Sequence, residues 1–325
     1  MEILIIGAGA MGGLFATLLA PHARVRLFTT NAEHARAIND HGLALTGMDG
    51  AIRRTAIAAL TEPLADSRPA DLALVCTKTR STTAAAATAR QFLTKTGLAL
   101  TLQNGLGNLE RLTEAVGANR AAAGVTSQAA ILLGPGQIRH TGRGPTALGC
   151  GPGQAERLAL VADLFNRAGI ETRLSDDIDG LLWSKLIVNA GVNALTALLR
   201  VANGALISTP ECEVLLTEAV AEAEAVAQAL HIDLPGGQQV DRVRRVCGLT
   251  AANQTSMLQD ILRGAPTEID AINGAVAAKG RELGIPTPIN LLLTRLIKAL
   301  EATASHRIEP SSATSSLEIP CARTS

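Results

Sequence analysis

A run of glycines limits the fold more than any other feature of this chain. Gly7-Ala8-Gly9-Ala10-Met11-Gly12 follows directly on an apolar stretch at residues 3–6 and opens a helical pattern over 11–19, with a second β-rich run at 24–28. In a strand-turn-helix setting the first glycine permits the tight turn, and the second lets the backbone approach a pyrophosphate. The third lets helix and strand pack closely, and the helix N-terminus offers unpaired amides to phosphate oxygens. A glycine-rich turn that binds nothing is the plainer alternative, and the flanking strand and helix argue against it. Gly7, Ala8, Gly9, Ala10, Met11 and Gly12 are therefore the expected dinucleotide-binding residues.

The end of the second strand chooses between NAD and NADP, because a carboxylate there bonds the ribose 2′-hydroxyl and a cation holds a 2′-phosphate. The strand ends Phe28-Thr29-Thr30-Asn31, with no carboxylate before Glu33 and no arginine in its place. Thr29, Thr30 and Asn31, with Arg36 on the next helix, could hold a phosphate. The missing carboxylate tips the reading towards NADPH, with Thr30 against the cofactor, and leaves NADH open.

The first half alternates β-rich and helical runs, with further strands expected at 71–77 and 98–102, the pattern of a helix-covered parallel sheet. Between 120 and 150 glycines and prolines separate short runs at 129–133 and 146–150, which read as antiparallel strands and turns. A helix over 154–168 and a strand at 170–174 follow, and after that β-rich runs cease. Helices are expected at 177–200, 210–231, 238–248, 253–262, 268–283 and 288–302. The fold class is α/β, an N-terminal Rossmann-type dinucleotide-binding domain with an all-helical C-terminal domain. The expected divisions are residues 1–175, residues 176–304 and a disordered, serine-rich tail over 305–325. With 325 residues and 47% apolar composition, each domain has material for its own core.

Composition excludes several roles. Lysine plus arginine number 29 and aspartate plus glutamate 29, so no bulk field draws the chain to nucleic acid or an anionic membrane. Four Phe, one Trp and no Tyr leave little for base stacking. Cys76, Cys150, Cys212, Cys247 and Cys321 are odd in number and contain no CxxC pair, which reads as reduced thiols. The six histidines show no HxxH or HExxH spacing, so no metal site is expected. Arg242, Arg244 and Arg245 read as a solvated helical face. With neither a signal-peptide core nor an uninterrupted apolar span, a cytoplasmic protein is expected.

The densest chemical signal lies at residues 181–195. Lys185, Asn189 and Asn193 stand at i, i+4 and i+8, which puts an ammonium and two amides on one stripe of an otherwise apolar helix. The stripe could face solvent or make structural hydrogen bonds with the first domain. Asparagine is a poor interior helix residue, however, and exposed faces normally carry several charges. A functional cleft fits the pattern better.

These features, with Lys78, Gln103-Asn104-Gly105, Leu182-Trp183-Ser184-Lys185-Leu186, Asn203-Gly204, Ser256-Met257-Leu258-Gln259-Asp260, Glu268-Ile269-Asp270 and Asn273-Gly274, resemble the ketopantoate reductase (2-dehydropantoate 2-reductase) family over nearly the whole chain. The resemblance implies NADPH-dependent reduction of ketopantoate to (R)-pantoate in pantothenate synthesis. It makes Lys185 the general acid that protonates the ketone oxygen. Glu268 would bind the substrate hydroxyl beside that lysine, Ser256 would bind the carboxylate, and Asn189, Asn193 and Asn203 would position the substrate. Asn104 and Lys78 would border the cofactor and the cleft. Taken singly, Lys78 could be a solvated helix-start residue, Ser256 a helix-surface serine and Glu268 a first-turn glutamate favoured by the helix dipole.

The chain departs from the family where many members grip the NADP phosphate with an arginine after the second strand. Two rival readings stand beside the first: a paralogue that reduces another 2-keto acid, and a catalytically silent NAD(P)-binding sensor. The expected partner is a small 2-keto acid, with neither nucleic acid nor membrane, and the alanine-rich helices could bury a homodimer interface.

Overall fold

The computed structural model describes residues 1–62, 68–149 and 153–306. Most of the expected tail, together with Cys150 and Cys321, lies outside the described residues. The first half runs β1 (Glu2–Ile6), α1 (Ala10–Leu19), β2 (Arg24–Phe28), α2 (Ala32–His41), β3 (Leu43–Thr46), β4 (Ile52–Thr55), β5 (Ala58–Leu60), β6 (Ala70–Val75), α3 (Thr82–Phe92) and β7 (Leu93–Thr101). It continues through α4 (Asn108–Val116), β8 (Ala121–Thr126), β9 (Ala129–Gly134), β10 (Gln137–Gly142), β11 (Thr146–Gly149), α5 (Ala155–Arg167) and β12 (Thr172–Leu174).

Eight strands form one sheet in the order β12-β11-β8-β7-β6-β1-β2-β5. β1 pairs in parallel with β2 on one side and β6 on the other. The chain therefore reverses its winding direction at β1, and the crevice beyond the carboxyl ends of β1 and β6 is where such sheets take ligands. Ile3, Leu4, Ile5 and Ile6 are all buried, which explains a continuous apolar run rather than an alternating one: helices cover both faces. On one face Phe15 of α1 meets Phe165 of α5 with ring centroids 5.5 Å apart, both fully buried. Burial of each such ring stabilises the fold by about 1.5–3 kcal/mol.

The segment 43–60 holds strands that its sequence does not announce. β3 and β4 join β9 and β10 in a second, four-stranded sheet of order β4-β3-β10-β9, and β5 borders the main sheet. β4 reads Ile52-Arg53-Arg54-Thr55 with its first three residues exposed, so it has no apolar alternation to betray it. The 120–150 region is likewise only partly antiparallel, since β8 runs parallel to β7 and β10 parallel to β3.

From residue 178 on the described chain is helical: α6 (Ile178–Leu199), α7 (Ala205–Ser208), α8 (Pro210–Ala229), α9 (Gln239–Leu249), α10 (Ser256–Leu262), α11 (Asn273–Leu283) and α12 (Pro288–Ala302). α6 is the axis, packed by α8, α9, α10 and α12. It is long and apolar enough to cross a membrane, but 67% of its apolar window is buried within the protein, as befits a core helix. Asp177 caps its start, accepting from the Gly180 N–H at 2.8 Å. A Cβ on Gly191 would lie 2.6 Å from Val220, so α6 and α8 approach as closely as they do only because that residue is glycine.

Two helix expectations are corrected. The helix expected from 253 begins at Ser256, where Thr255 caps it by accepting from the Leu258 N–H. The helix expected over 268–283 is broken into a 3-10 turn, Ile269–Ala271, and α11. The break has a tertiary cause. Backbone N–H groups of the first domain, at Thr79 and Leu106, bond the Glu268 carboxylate and the Ala271 carbonyl, drawing this segment out of helical register.

Candidate active site

The dinucleotide turn is built by exclusion. Gly7 sits at φ +100°, and a Cβ there would meet Thr77 N at 2.7 Å; a Cβ on Gly12 would lie 1.9 Å from the Gly7 carbonyl. Gly9 differs, because its Cβ would meet nothing within 4 Å. The protein does not need glycine at residue 9, but a pyrophosphate lying against that backbone would. Gly9 also begins α1 with no capping side chain, which leaves the first amides of the helix open to an anion. His34 steadies the turn from behind. The Gly136 N–H donates to its Nδ1 at 3.0 Å, so Nε2 carries the proton and donates to the Ala8 carbonyl at 2.8 Å.

A groove of about 640 Å³ extends from this turn across to the helical domain, lined by Gly7 to Met11, Thr30, Lys78, Asn104, Ser256 and Glu268 among others. It fits a dinucleotide by its free amides and by the open face of Gly9. At the ribose end Thr29 Oγ1 accepts from the Asn31 N–H, and Asn31 caps α2 by accepting from the His34 N–H. Both side chains are thereby engaged. Thr30, exposed in the groove, is the hydroxyl left free there.

At the other end the two domains meet through charge. Lys78 follows β6 and pairs with the buried Asp260 of α10 at 2.7 Å, and its ammonium also lies 3.7 Å from Glu268. Glu268 accepts from both the Thr79 N–H, at 3.0 Å, and the Thr79 hydroxyl. Lys78 is therefore a bridge between domains rather than a solvated residue, and Glu268 is held in place by the first domain rather than by a helix dipole. Gln103 supports this junction from below, donating to the Thr77 carbonyl and to Thr82 Oγ1. The Asn104 carbonyl accepts from Asn108 and shares the single Thr79 hydroxyl proton with Glu268, leaving its own amide facing the groove.

Lys185 projects from α6 towards the sheet and donates to the Thr126 carbonyl at the end of β8, at 2.9 Å. Burial lowers its pKa to about 8, and the negative charge of Glu268 opposes that fall. Asn189 is half-buried and Asn193 buried, and their side-chain amides have no partner among the described residues. Neither is among the polar atoms buried from solvent without a partner, so water meets these amides in the free protein and a ligand's polar groups can take its place. Ser256, exposed at the start of α10, is also free. Asn203 stands apart. Its amide donates to Thr250 Oγ1 at 2.9 Å, which fastens the turn after α9 rather than facing the groove.

Residues 3–153 match the family model described as ketopantoate reductase PanE/ApbA, and residues 177–301 match that described as its C-terminal part. The chain belongs to the ketopantoate reductase family. A 2-dehydropantoate 2-reductase of Halobacterium salinarum is 37% identical over 303 residues, 92% of this chain and 98% of the relative. One of Vibrio cholerae is 34% identical over 94% of this chain and 99% of its own. The crystal structure of a PanE/ApbA family ketopantoate reductase from Ralstonia eutropha superposes with TM-score 0.86 at 33% identity, covering 94% of this chain and all of that one. A D-mandelate dehydrogenase solved with NADH and anilino(oxo)acetate superposes with TM-score 0.88 at 29% identity, with the same coverage. As a family member this chain is an oxidoreductase with a nicotinamide-dinucleotide fold.

The sequence did not point to Asp260, Thr79, Gln103 or Thr126 as parts of the site. Asp260 and Gln103 lie in motifs quoted for the resemblance, but nothing in their local pattern says what they touch. Thr126 acts on Lys185 through its main-chain carbonyl and Thr79 on Glu268 partly through its main-chain N–H, groups that carry no sequence signature at all.

Proposed function

We propose that this protein reduces ketopantoate to (R)-pantoate with NADPH, with residues 1–175 forming the cofactor domain and 176–304 the substrate domain. The observation that carries the reading is Lys185. It is a largely buried ammonium on α6 that reaches the Thr126 carbonyl of the first domain, with its pKa drawn down to about 8 and the Glu268 carboxylate acting on it. The nicotinamide supplies the hydride to the ketone carbon. As the carbonyl becomes an alkoxide, an ammonium within hydrogen-bond reach stabilises the developing charge and delivers the proton. A pKa near the working pH makes Lys185 both present as acid and able to release its proton. To act, Lys185 exchanges the Thr126 carbonyl for the substrate oxygen.

Glu268, whose carboxylate lies 3.7 Å from the Lys78 ammonium and acts on Lys185, can as a carboxylate only accept hydrogen bonds, which suits the substrate's hydroxyl. Ser256 donates to the carboxylate. The free amides of Asn189 and Asn193 position the substrate along α6, and Asn203 contributes by holding the loop that follows. Gly7, Ala8, Gly9, Ala10, Met11 and Gly12 hold the pyrophosphate, Thr30 the adenosine ribose phosphate, and Asn104 and Lys78 border the nicotinamide end. NADPH is favoured over NADH because no carboxylate opposes a phosphate beside Thr30. We place the enzyme in the cytoplasm, where free thiols such as Cys76, Cys212 and Cys247 persist. A second copy would pack on the helical domain.

Nicotinamide absorbance with ketopantoate, 2-oxoisovalerate and pyruvate, each with NADPH and NADH, tests the assignment. Fast oxidation of NADPH with ketopantoate is the expected result, and its absence with clear turnover of another acid would move the substrate assignment. The likeness to a D-mandelate dehydrogenase solved with NADH supports that second reading, a reductase of a different 2-keto acid.

A further inference from the structure

The groups that face the substrate in this reading stand on three separate segments of the helical domain: α6 with Lys185, Asn189 and Asn193; the start of α10 with Ser256; and the loop before α11 with Glu268. Apolar packing alone lets such segments slide against one another, since it has no direction. Hydrogen bonds are directional, and α6 makes two buried ones on its inner side, one to each of the other segments.

The first strut runs to α10. Thr196, fully buried on α6, places Oγ1 2.8 Å from Thr255 Oγ1, the cap residue immediately before Ser256. The donors can be assigned. Thr196 Oγ1 has the carbonyls of Val192 and Asn193, each at 3.0 Å, to take its proton, whereas the Thr255 hydroxyl has no other acceptor among the described residues, so Thr255 donates to Thr196 while accepting from the Leu258 N–H. Every proton in this short chain has an acceptor, and the hydroxyl that caps α10 is tied to the helix carrying Asn193.

The second strut runs to the Glu268 loop. Asn273, also fully buried, begins α11 and donates one amide hydrogen to the Ala190 carbonyl at 2.9 Å and the other to Asn290 Oδ1 at 3.0 Å. Asn290 is itself held by the Ala219 carbonyl and by Glu222, whose carboxylate also takes the Ile289 and Asn290 N–H groups at the start of α12. The Asn273 Oδ1 atom is buried without a partner, a standing cost that the packing of an apolar residue would not carry. Between Glu268 and Asn273 there is only the 3-10 turn, and Gly274 lets that turn fold tightly back, with its Cβ position 3.2 Å from the Ile269 carbonyl.

We propose that Thr196 and Asn273 are positioning residues that hold Ser256 and Glu268, respectively, in register with the Lys185, Asn189 and Asn193 stripe. The inference rests on the reductase reading and goes beyond it, because neither residue faces the groove. The two struts serve different substrate groups, so their loss has different signatures. Losing the Thr196 strut displaces the carboxylate-binding serine and weakens substrate binding. Losing the Asn273 strut moves Glu268 away from Lys185 and weakens the chemical step.

The test compares Thr196→Val, which keeps the shape and removes the hydroxyl, Thr196→Ser, which keeps the hydroxyl, and Asn273→Leu, with NADPH saturating and the keto acid varied. Thr196→Val is expected to raise KM about tenfold at nearly constant kcat and NADPH affinity, with Thr196→Ser returning KM close to its original value. Asn273→Leu is expected to lower kcat about ten- to a hundredfold and to move the alkaline limb of its pH profile to lower pH. An unchanged KM in Thr196→Val, a Thr196→Ser that fails to restore it, or an Asn273→Leu with normal kcat and an unmoved pH limb overturns the proposal. If Asn273→Leu does not fold, the two Thr196 variants decide alone. Should the unaltered enzyme turn over a different 2-keto acid, the ketopantoate assignment falls and the struts are read on that acid. Should it turn over none, the reductase reading falls. The Thr196 variants are then compared by calorimetry for pantoate binding to the NADP+ complex, where equal affinity in Thr196→Val overturns the strut.

Discussion

At the dinucleotide turn the protein has already made its contacts: Gly7 and Gly12 are pressed against backbone, His34 holds the Ala8 carbonyl, and a ligand finds the amides aimed. On α6 the situation is reversed. Asn189 and Asn193 have no partner among the described residues, and Lys185 rests on a main-chain carbonyl that it leaves only in the proposed reaction. The first region is preorganised and tolerates little change in its own backbone. The second keeps its hydrogen-bonding capacity in reserve, which in the proposed reading is spent on the substrate rather than on the fold. The Glu268 and Lys78 junction joins them, since it takes backbone donors from the first domain and carries charge into the second.

The comparison can be broken most forcefully at Lys185. Replacing it with alanine should lower kcat by about 10²–10⁴-fold, while NADPH affinity, read by fluorescence titration, stays as it was. A large loss of cofactor binding would show that the two regions are not separable. The glycines come next. Gly12→Ala forces a Cβ into the Gly7 carbonyl and should destabilise the fold by about 1–3 kcal/mol in thermal or denaturant unfolding. Gly9→Ala has open space around it and should leave stability unchanged while weakening NADPH binding. Equal stability losses in the two variants would refute the assignment of Gly9 to the ligand.

Glu268→Gln sharpens the link between the regions through pH. Burial lowers the Lys185 pKa to about 8 and the Glu268 charge is what holds it up, so removing that charge lets the pKa fall further. Reduction needs the ammonium, so the alkaline loss of kcat, which should begin near pH 8 in the unaltered enzyme, is expected at lower pH in the variant. An alkaline limb that stays put would detach Glu268 from Lys185. The smallest effect is expected from Asn189→Ala. KM for the keto acid should rise several-fold, and stability should stay within about 0.5 kcal/mol, because the amide bonds nothing in the free protein.

Much of this was legible in local pattern. The turn from Gly7 to Gly12 could be read because each glycine answers a backbone need that spacing reveals, and Lys185, Asn189 and Asn193 could be read because helical periodicity puts them on one stripe. β4 could not, since an exposed edge strand has no apolar face to alternate. The role of Asn203 was not legible either: an asparagine before a glycine looks the same whether it meets a substrate or, as here, Thr250. Asp260 and Thr79 become site residues only through partners 182 and 189 positions away in sequence, a distance over which periodicity says nothing.

By itself the sequence determined the elements whose rules are local: a strand that runs into a glycine turn, a helix with three polar residues on one side, and a domain made of helices. Tertiary structure alone decided that the expected helix at 268 breaks, that Lys78 bridges domains, and that burial draws the Lys185 pKa down to about 8. Hydrogen-bond partners and pKa values depend on distance through space and on the exclusion of water, and neither exists until the two domains have come together around the groove.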